Sequence, residues 1–178
     1  MNSILGFTEI LSDEVKDEEL KSYIEIISTS GNTLLTLIND LLDISKIEAN
    51  KLVLNAQPTN LVELCQKALK LFQPALNNKG IFIEFKTIGS IPEYVLIDQA
   101  RFRQVLINLV GNAIKFTEAG GIRVELEAGL QDTTSVHIDL RVADSGIGIP
   151  EESLDRIFEA FEQAHRMNPK SGVGSGLG

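Results

Sequence analysis

The sequence lacks several features that mark other classes of protein. Tryptophan is absent and Cys65 is the one cysteine, so the core must be built from aliphatic side chains and phenylalanine, and no intrachain disulfide can form. No apolar run approaches the roughly 18 residues of a membrane span, and no basic leader precedes an apolar stretch. We therefore expect a cytoplasmic segment without membrane contact of its own, which leaves open a membrane anchor elsewhere in a longer protein.

What is present is typical of a globular protein, with an acidic first segment. The 178 residues are 43% hydrophobic and 23% charged, which excludes general disorder. The net charge is −9, and residues 1–48 contribute −7 of it through ten acidic residues and three lysines. This acidity argues against nucleic acid as the main partner, and it is typical of a solvated helix face that aids solubility.

The first segment predicts a helical hairpin. Residues 1–12 indicate the end of a helix, residues 13–19 an exposed turn, and residues 20–49 one long helix. Apolar positions recur every seven residues along it, at Ile27, Leu34 and Leu41. Two such helices cannot bury their apolar faces alone, so we expect a second copy to complete a four-helix bundle in a homodimer.

A second domain follows a boundary near Asn50, giving predicted domains at 1–49 and 50–178. We predict an α+β fold, with an antiparallel sheet on one side and helices on the other. Cys65 falls on the apolar face of the first of these helices and is interpreted as a buried structural thiol. In chain order, the predicted elements are strand 51–57, helix 61–78 capped by Pro58-Thr59-Asn60, strand 80–87, strand 95–97, helix 98–116, strands 122–128 and 136–143, and helix 151–161.

Polar residues on one face of helix 98–116 form the first candidate binding segment. Asn108, Asn112 and Lys115 lie at i, i+4 and i+7. Two amide oxygens on one helix face can coordinate Mg²⁺, which shares its shell with water and phosphate oxygens, and the lysine one turn on can reach a phosphate. Alone, such a polar stripe on an amphipathic helix is usually a solvated face.

Three later segments are also rich in binding chemistry. Asp144-Ser-Gly146-Ile-Gly148 follows an apolar strand; an aspartate at a buried strand end suits an exocyclic amine, and the glycines permit close backbone approach. Phe158 and Phe161 form a pair at i and i+3, which by itself indicates core packing. Gly174-Ser-Gly176-Leu177-Gly178 exposes backbone N–H groups that can bind phosphate, or is a flexible tail.

In this order and spacing, the four segments closely resemble the ATP-binding domain of histidine protein kinases. They match its N box, first glycine box, paired-phenylalanine box and second glycine box, and residues 1–11 resemble the stretch just after the phospho-acceptor histidine. The wording of the motifs is closest to hybrid-type sensor kinases. The resemblance implies an α/β-sandwich ATP-binding fold shared with gyrase, mismatch-repair and chaperone ATPases, preceded by a dimerisation hairpin.

The resemblance also implies roles for individual residues. Asn112 would be the main Mg²⁺ ligand with Asn108 as its helper, and Lys115 would contact phosphate. Asp144 would bind the adenine amine, with Phe116 lining that pocket and Gly146 and Gly148 shaping it. The glycine tail, Gly174, Gly176 and Gly178 with Leu177 between them, would approach the phosphates, and residues 164–173 would form a lid.

The implied reaction is transfer of the ATP γ-phosphate to a histidine and then to an aspartate of a response-regulator receiver domain. Hydrolytic relatives are expected to carry a glutamate where this chain has Asn108, which is a poor base. By the alignment, the acceptor histidine would fall six residues before Met1, and neither His137 nor His165 replaces it. We therefore expect a fragment that is inactive alone, and two alternatives stay open: a non-catalytic ATP-binding module, and an ATPase of the gyrase or chaperone type.

Overall fold

The computed structural model describes residues 2–130 and 135–154, which divide into two compact units on either side of Leu52 and Val53. The first unit is a pair of helices, α1 (Asn2–Glu14) and α2 (Glu18–Glu48). The turn between them is only three residues, shorter than the seven predicted, because the Asp17 side chain starts α2 by accepting bonds from the N–H groups of the second and third residues of the helix.

The end of α2 and the packing of the hairpin also follow from local chemistry. Asn50 adopts a left-handed φ of 52°, and the N–H of Lys51 reaches back to the Lys46 carbonyl at 2.8 Å, which closes the helix. Gly31 faces Leu5 so closely that an added Cβ would lie 2.8 Å from Leu5 Cδ2. The helices therefore approach along the face that carries Ile24 and Gly31.

Within residues 53–130 and 135–154, the second unit contains four helical segments and five strands. Its elements in chain order are β1 (Gln57–Thr59), α3 (Leu61–Lys70), α4 (Gln73–Lys79), β2 (Phe82–Ile88), β3 (Val95–Ile97), α5 (Gln99–Phe116), β4 (Gly121–Leu130), β5 (Val136–Asp144) and a 3₁₀ turn (Glu151–Ser153). The predicted fold class is confirmed: a helical segment precedes a domain in which helices cover a sheet. Of the predicted helix 151–161, residues 155–161 lie outside the described residues.

The strand pairing corrects the predicted antiparallel sheet. The main sheet has the order β2-β4-β5; β4 and β5 are antiparallel, but β2 and β4 run parallel, with Phe82 opposite Gly121. A parallel pair requires a long crossover, and α5 supplies it. The strands β1 and β3 form a separate antiparallel pair. Helix α5 consequently lies over the sheet, with its last turn close to the start of β4.

Two further predictions about this unit are wrong in their bounds. Residues 51–56 form no strand, because β3 is only three residues long and pairs with 57–59, which leaves the earlier alternating residues without a partner strand. The predicted helix 61–78 is two helices. Pro74 lacks the N–H that a continuous helix needs and its ring crowds the preceding turn, so α3 ends at Lys70 and α4 starts afresh.

A single apolar core holds α3, α5 and the main sheet together. Leu106 and Val110 of α5 and Val124 and Leu126 of β4 are completely buried. Cys65 is buried among them, as predicted, and burial raises the pKa of its thiol to about 11, so the reactive thiolate is disfavoured. In the part of the chain that the structure describes, no helix has the length and apolar character that crossing a membrane requires.

Candidate functional site

Helix α5 positions the two asparagines and the lysine of the first motif. Its buried face carries Leu106, Val110 and Ala113, which leaves Asn108 and Asn112 exposed on the other side. Because the two asparagines are four residues apart, their side chains project from one face, about 6 Å apart along the axis. The helix thus places both asparagines at exposed positions of one face, in the register that the sequence predicts.

The Asp98 carboxylate fixes the start of α5 through two hydrogen bonds. Asp98 Oδ1 caps the helix by accepting from the N–H of Arg101 at 3.1 Å, and Oδ2 accepts from the N–H of Asn55 at 2.9 Å. The bond from Asn55 is the main reason that the pKa of Asp98 lies below its usual range, and the bond from Arg101 adds to it. Asp98 therefore holds the backbone of Asn55, 43 positions earlier in the chain, at the start of α5.

The last turn of α5 presents Lys115 and Phe116. The Lys115 ammonium lies 5.2 Å from the centre of the Phe116 ring, within range of a cation–π attraction. Both side chains are half-buried. The cation and the ring to which the resemblance gives phosphate and adenine roles therefore lie side by side at the end of the helix.

The aspartate–glycine loop contacts this helix end through the backbone. Gly146 N–H donates to Asp144 Oδ1 at 2.8 Å, and the N–H of Ile147 points at the Phe116 carbonyl at 3.4 Å. A Cβ at position 146 would lie 2.5 Å from that carbonyl oxygen and 2.7 Å from Asp144 Oδ1, so only glycine fits without a shift. Gly148 takes a left-handed φ of 70°, where glycine is again favoured.

Ser145 ties the same loop to the beginning of β4. Its hydroxyl accepts from the N–H of Gly121 at 3.0 Å and lies 3.0 Å from the Ala119 carbonyl, to which it can donate. Gly120 has a φ of 95°, and a Cβ there would meet the Ser145 hydroxyl. The loop is thus held on two sides, by the end of α5 and by the start of β4.

A lysine from α4 closes the other side of the helix end. Lys79 Nζ donates to the carbonyls of Ile114, Lys115 and Thr117 at 2.7, 3.1 and 3.2 Å. These are carbonyls that a helix C-terminus leaves without intrahelical partners. Sequence reasoning missed Lys79 and Ser145, because a lysine before a glycine marks the end of its own helix and reveals nothing about a second helix in space.

The structure brings together part of the predicted site. Gly146 contacts both Asp144 and the Phe116 carbonyl, Lys115 adjoins Phe116, and Asn112 and Asn108 lie one and two turns back on the same helix, respectively. Asp144 is exposed rather than at a buried strand end, because β5 is an outer strand of the sheet. The predicted residues of the paired-phenylalanine segment, the lid and the glycine tail (Phe158, Phe161, residues 164–173, Gly174, Gly176, Leu177 and Gly178) lie outside the described residues.

The donor set at this site fits a magnesium ion that is shared with a nucleotide. Within 2–130 and 135–154, no group of three or more histidine, cysteine or acidic side chains could hold a metal by itself. The exposed amides of Asn108 and Asn112 can supply one or two oxygen ligands, and Mg²⁺ commonly takes its others from water and phosphate. These residues suit a metal that arrives with its phosphate ligand.

His137, one of the two histidines, is an ordinary surface residue. It lies on β5, exposed, with Nε2 3.3 Å from Asp139 Oδ1, as its position in an alternating strand predicts. His165 lies outside the described residues. His137 is therefore on the sheet rather than at the helix–loop junction.

Two family models match the chain. Residues 1–50 match the His Kinase A (phospho-acceptor) domain, and residues 97–178 match the histidine kinase-, DNA gyrase B- and HSP90-like ATPase. Over its whole length, the chain is 36% identical to the signal transduction histidine-protein kinase BarA of Escherichia coli K12, of which it covers 19%. The chain thus spans about a fifth of the curated relative it matches.

Solved histidine kinases are similar to this chain in structure as well as sequence. Full-length ShkA in complex with AMPPNP matches 99% of this chain, and 35% of ShkA is covered, with a TM-score of 0.74 and 36% identity. The catalytic domain of ThkA matches 69% of the chain, and 75% of that domain is covered, with a TM-score of 0.53 and 33% identity. ThkA has also been solved with the response regulator protein TrrA; there 90% of this chain and 46% of the ThkA chain are covered, with a TM-score of 0.58 and 34% identity.

Replacing Gly146 by alanine should distort the contact between the aspartate–glycine loop and the end of α5. The methyl group would meet the Phe116 carbonyl and Asp144 Oδ1, so we expect a loss of about 1–3 kcal/mol in the free energy of unfolding, as for other overpacked positions. We also expect ATP affinity, measured by titration calorimetry, to fall at least about tenfold. Gly129→Ala is the control, because no atom lies within 4 Å of the added Cβ; equal ATP affinity in the two variants would contradict the prediction.

Proposed function

The chain belongs to the histidine protein kinase family, and from that membership we propose that it is the core that binds Mg-ATP and transfers the γ-phosphate to a histidine side chain. In this proposal, residues 1–49 belong to the dimerisation and phosphotransfer hairpin, and residues 50–178 to the ATP-binding domain. The observation that carries the proposal is the contact of the Phe116 carbonyl with Gly146 and Ile147. Through it, the asparagine helix and the aspartate loop form two walls of one site.

The adenine base is assigned to the Asp144 side of this contact. An ionised carboxylate offers about four acceptor positions, so the single bond from Gly146 N–H leaves capacity for the exocyclic amine of adenine. Guanine carries a carbonyl at that position and would be repelled. Phe116 would line the base pocket, with Gly146 and Gly148 allowing the backbone to come close.

The phosphates are assigned to the α5 side. Lys115 would bind a phosphate oxygen as a point charge, and Asn112, helped by Asn108, would supply amide oxygens to the magnesium ion. The metal neutralises charge on the phosphates when it is bound. Gly174, Gly176 and Gly178, with Leu177, are proposed to offer backbone N–H groups to the same phosphates.

Asn108 also argues for transfer over hydrolysis. Activation of water needs a basic side chain within hydrogen-bond reach, and an amide has no useful basicity at neutral pH. With no base at that position on α5, catalysis consists of holding the nucleotide in line with an incoming side chain and stabilising the charge that develops. The γ-phosphate is thereby reserved for a histidine rather than for water.

A first test separates the magnesium role of Asn112 from general damage to the site. Removing Mg²⁺ with EDTA should weaken ATP binding to the wild-type chain by about tenfold or more, which is 1.4 kcal/mol. In Asn112→Ala, affinity in the presence of Mg²⁺ should fall, while affinity in EDTA should match that of the wild type. Titration calorimetry of both proteins in both buffers measures this; an unchanged ratio between the buffers in Asn112→Ala would remove Asn112 from the metal site.

A second test concerns the reaction itself. Incubated with γ-labelled ATP and Mg²⁺, the natural gene product should retain label that is lost in acid and stable in alkali, as a phosphoramidate bond to histidine is. Asp144→Asn should retain less label, in proportion to its weaker ATP binding. Steady release of phosphate without labelled protein would instead favour an ATPase, and ATP binding with neither outcome would favour a non-catalytic module.

The exposed apolar side chains of α2 support the proposal of a homodimer. Ile27, Leu34 and Leu41 recur every seven residues, and each is between 46% and 51% exposed. The pairing of α2 with α1 uses the face of Ile24 and Gly31, so this second stripe is uncovered in one chain. A second hairpin placed against it would bury the stripe in a four-helix bundle.

The dimer is tested by placing a charge in the stripe. The wild-type chain should elute with the light-scattering mass of two chains of 19.5 kDa each, and Leu34→Glu should shift this toward the mass of one chain, because a carboxylate cannot be buried unpaired. Asn39→Glu, an exposed position on the same helix, is the matched control. A wild-type mass of one chain at micromolar concentration would refute the proposal.

The partner that receives the phosphate is proposed to be a response-regulator receiver domain. The support comes from ThkA, which has been solved with the response regulator protein TrrA. A receiver aspartate would accept the phosphoryl group from the histidine, which completes a two-component relay. The wording of the ATP-binding motifs further favours a kinase of the hybrid type.

A further inference from the structure

The end of α5 has a donor for each of its last carbonyls. The Ala113 carbonyl accepts from the N–H of Thr117 at 3.0 Å, and the Phe116 carbonyl faces the N–H of Ile147. The remaining carbonyls, those of Ile114, Lys115 and Thr117, share the ammonium of Lys79. One lysine from another helix therefore satisfies most of the helix end from which Lys115 and Phe116 project.

The position of Lys79 is itself well defined by the fold. It is the last residue of α4, which ends because Gly80 adopts a left-handed φ of 67°, and the N–H of Ile81 returns to the Leu76 carbonyl at 3.2 Å. Leu76 and Ile81 are buried, so this turn is anchored in the core on both sides of the lysine. The ammonium is thus delivered to α5 from a fixed point, and a cation there also suits the negative end of the helix.

We propose that Lys79 is a positioning residue for the nucleotide site: it holds the last turn of α5 so that the Phe116 carbonyl meets the Gly146–Ile147 backbone and Lys115 faces the phosphates. The inference rests on the proposed function, since it concerns the same ATP site. Lys79 acts through α5 and has no assigned contact with the nucleotide. The contact between the Phe116 carbonyl and Gly146 is tightly packed, because even one methyl group at position 146 would lie 2.5 Å from the Phe116 oxygen.

The exposure of Lys79 makes the positioning role separable from stability. Its side chain lies at the surface, so water can replace part of what the three carbonyls lose when the ammonium is removed. We therefore expect the domain to stay folded without Lys79, while the last turn of α5 becomes free to shift. Binding affinity should respond more than the unfolding midpoint.

The test compares Lys79→Met, which keeps the aliphatic stem but removes the donors, with Lys79→Arg, which retains both charge and donors. We expect the Kd for Mg-ATP, by titration calorimetry, to rise about tenfold in Lys79→Met and less than about threefold in Lys79→Arg, at temperatures where urea titration shows each protein fully folded. Lys70→Met is the control, because Lys70 is also an exposed lysine in the last turn of a helix of this domain. Should Lys79→Met fail to fold, Lys79→Gln is measured in its place.

A spectroscopic readout distinguishes positioning from a general loss of structure. In nucleotide-free protein, the amide resonances of Gly146 and Ile147 should shift in Lys79→Met and keep their positions in Lys70→Met. The three hydrogen bonds of Lys79 go to the end of α5 rather than to that loop. Equal ATP affinity and unshifted loop amides in Lys79→Met would overturn the inference. If the wild-type chain binds no ATP, the proposed function fails and takes the inference with it; if the wild type binds and Lys79→Met binds equally, only the inference fails.

Discussion

The candidate site depends on one backbone contact, that between the carbonyl of Phe116 and the Gly146–Ile147 segment. Neither the helix nor the loop would reach this contact through its own secondary structure alone. The carbonyl is available because α5 ends at that residue, and the loop can approach because position 146 has no side chain. The asparagines, the lysine and the aspartate of the motifs are spread over 37 positions, from 108 to 144, and this contact brings the aspartate loop to the end of the helix that carries the other three.

Local sequence signals predicted several of the elements well. Asn60 caps α3 as expected, α5 covers residues 99–116 of the predicted helix 98–116, and the alternating residues of β4 and β5 form the predicted hairpin. The predictions failed where the outcome depends on a distant partner. Residues 51–56 alternate like a strand but have no strand beside them, and the direction of β2 relative to β4 is set by the crossover through α5.

The same distinction applies to the site. Asn112, Lys115, Asp144 and Gly146 can be picked out from the chain because their motifs are contiguous, and their roles stay proposals. Ser145 and Lys79 hold the motifs in place through bonds spanning between 24 and 38 positions. No short-range pattern encodes bonds of that length, so residues that arrange a site are harder to find in a sequence than residues that present its chemistry.

The shared carboxylate of Asp98 couples two attachments that could otherwise fail independently. The segment before β1 and the first turn of α5 each donate a backbone hydrogen bond to one oxygen of the Asp98 carboxylate. These bonds lower the pKa of Asp98. The stabilisation that these two bonds give the folded domain is fully present above the pKa of aspartate in the unfolded chain. It is lost as the pH falls through the lower pKa of Asp98 in the folded domain. Protonation of this one carboxyl therefore weakens both attachments together, that of the Asn55 backbone and that of the first turn of α5.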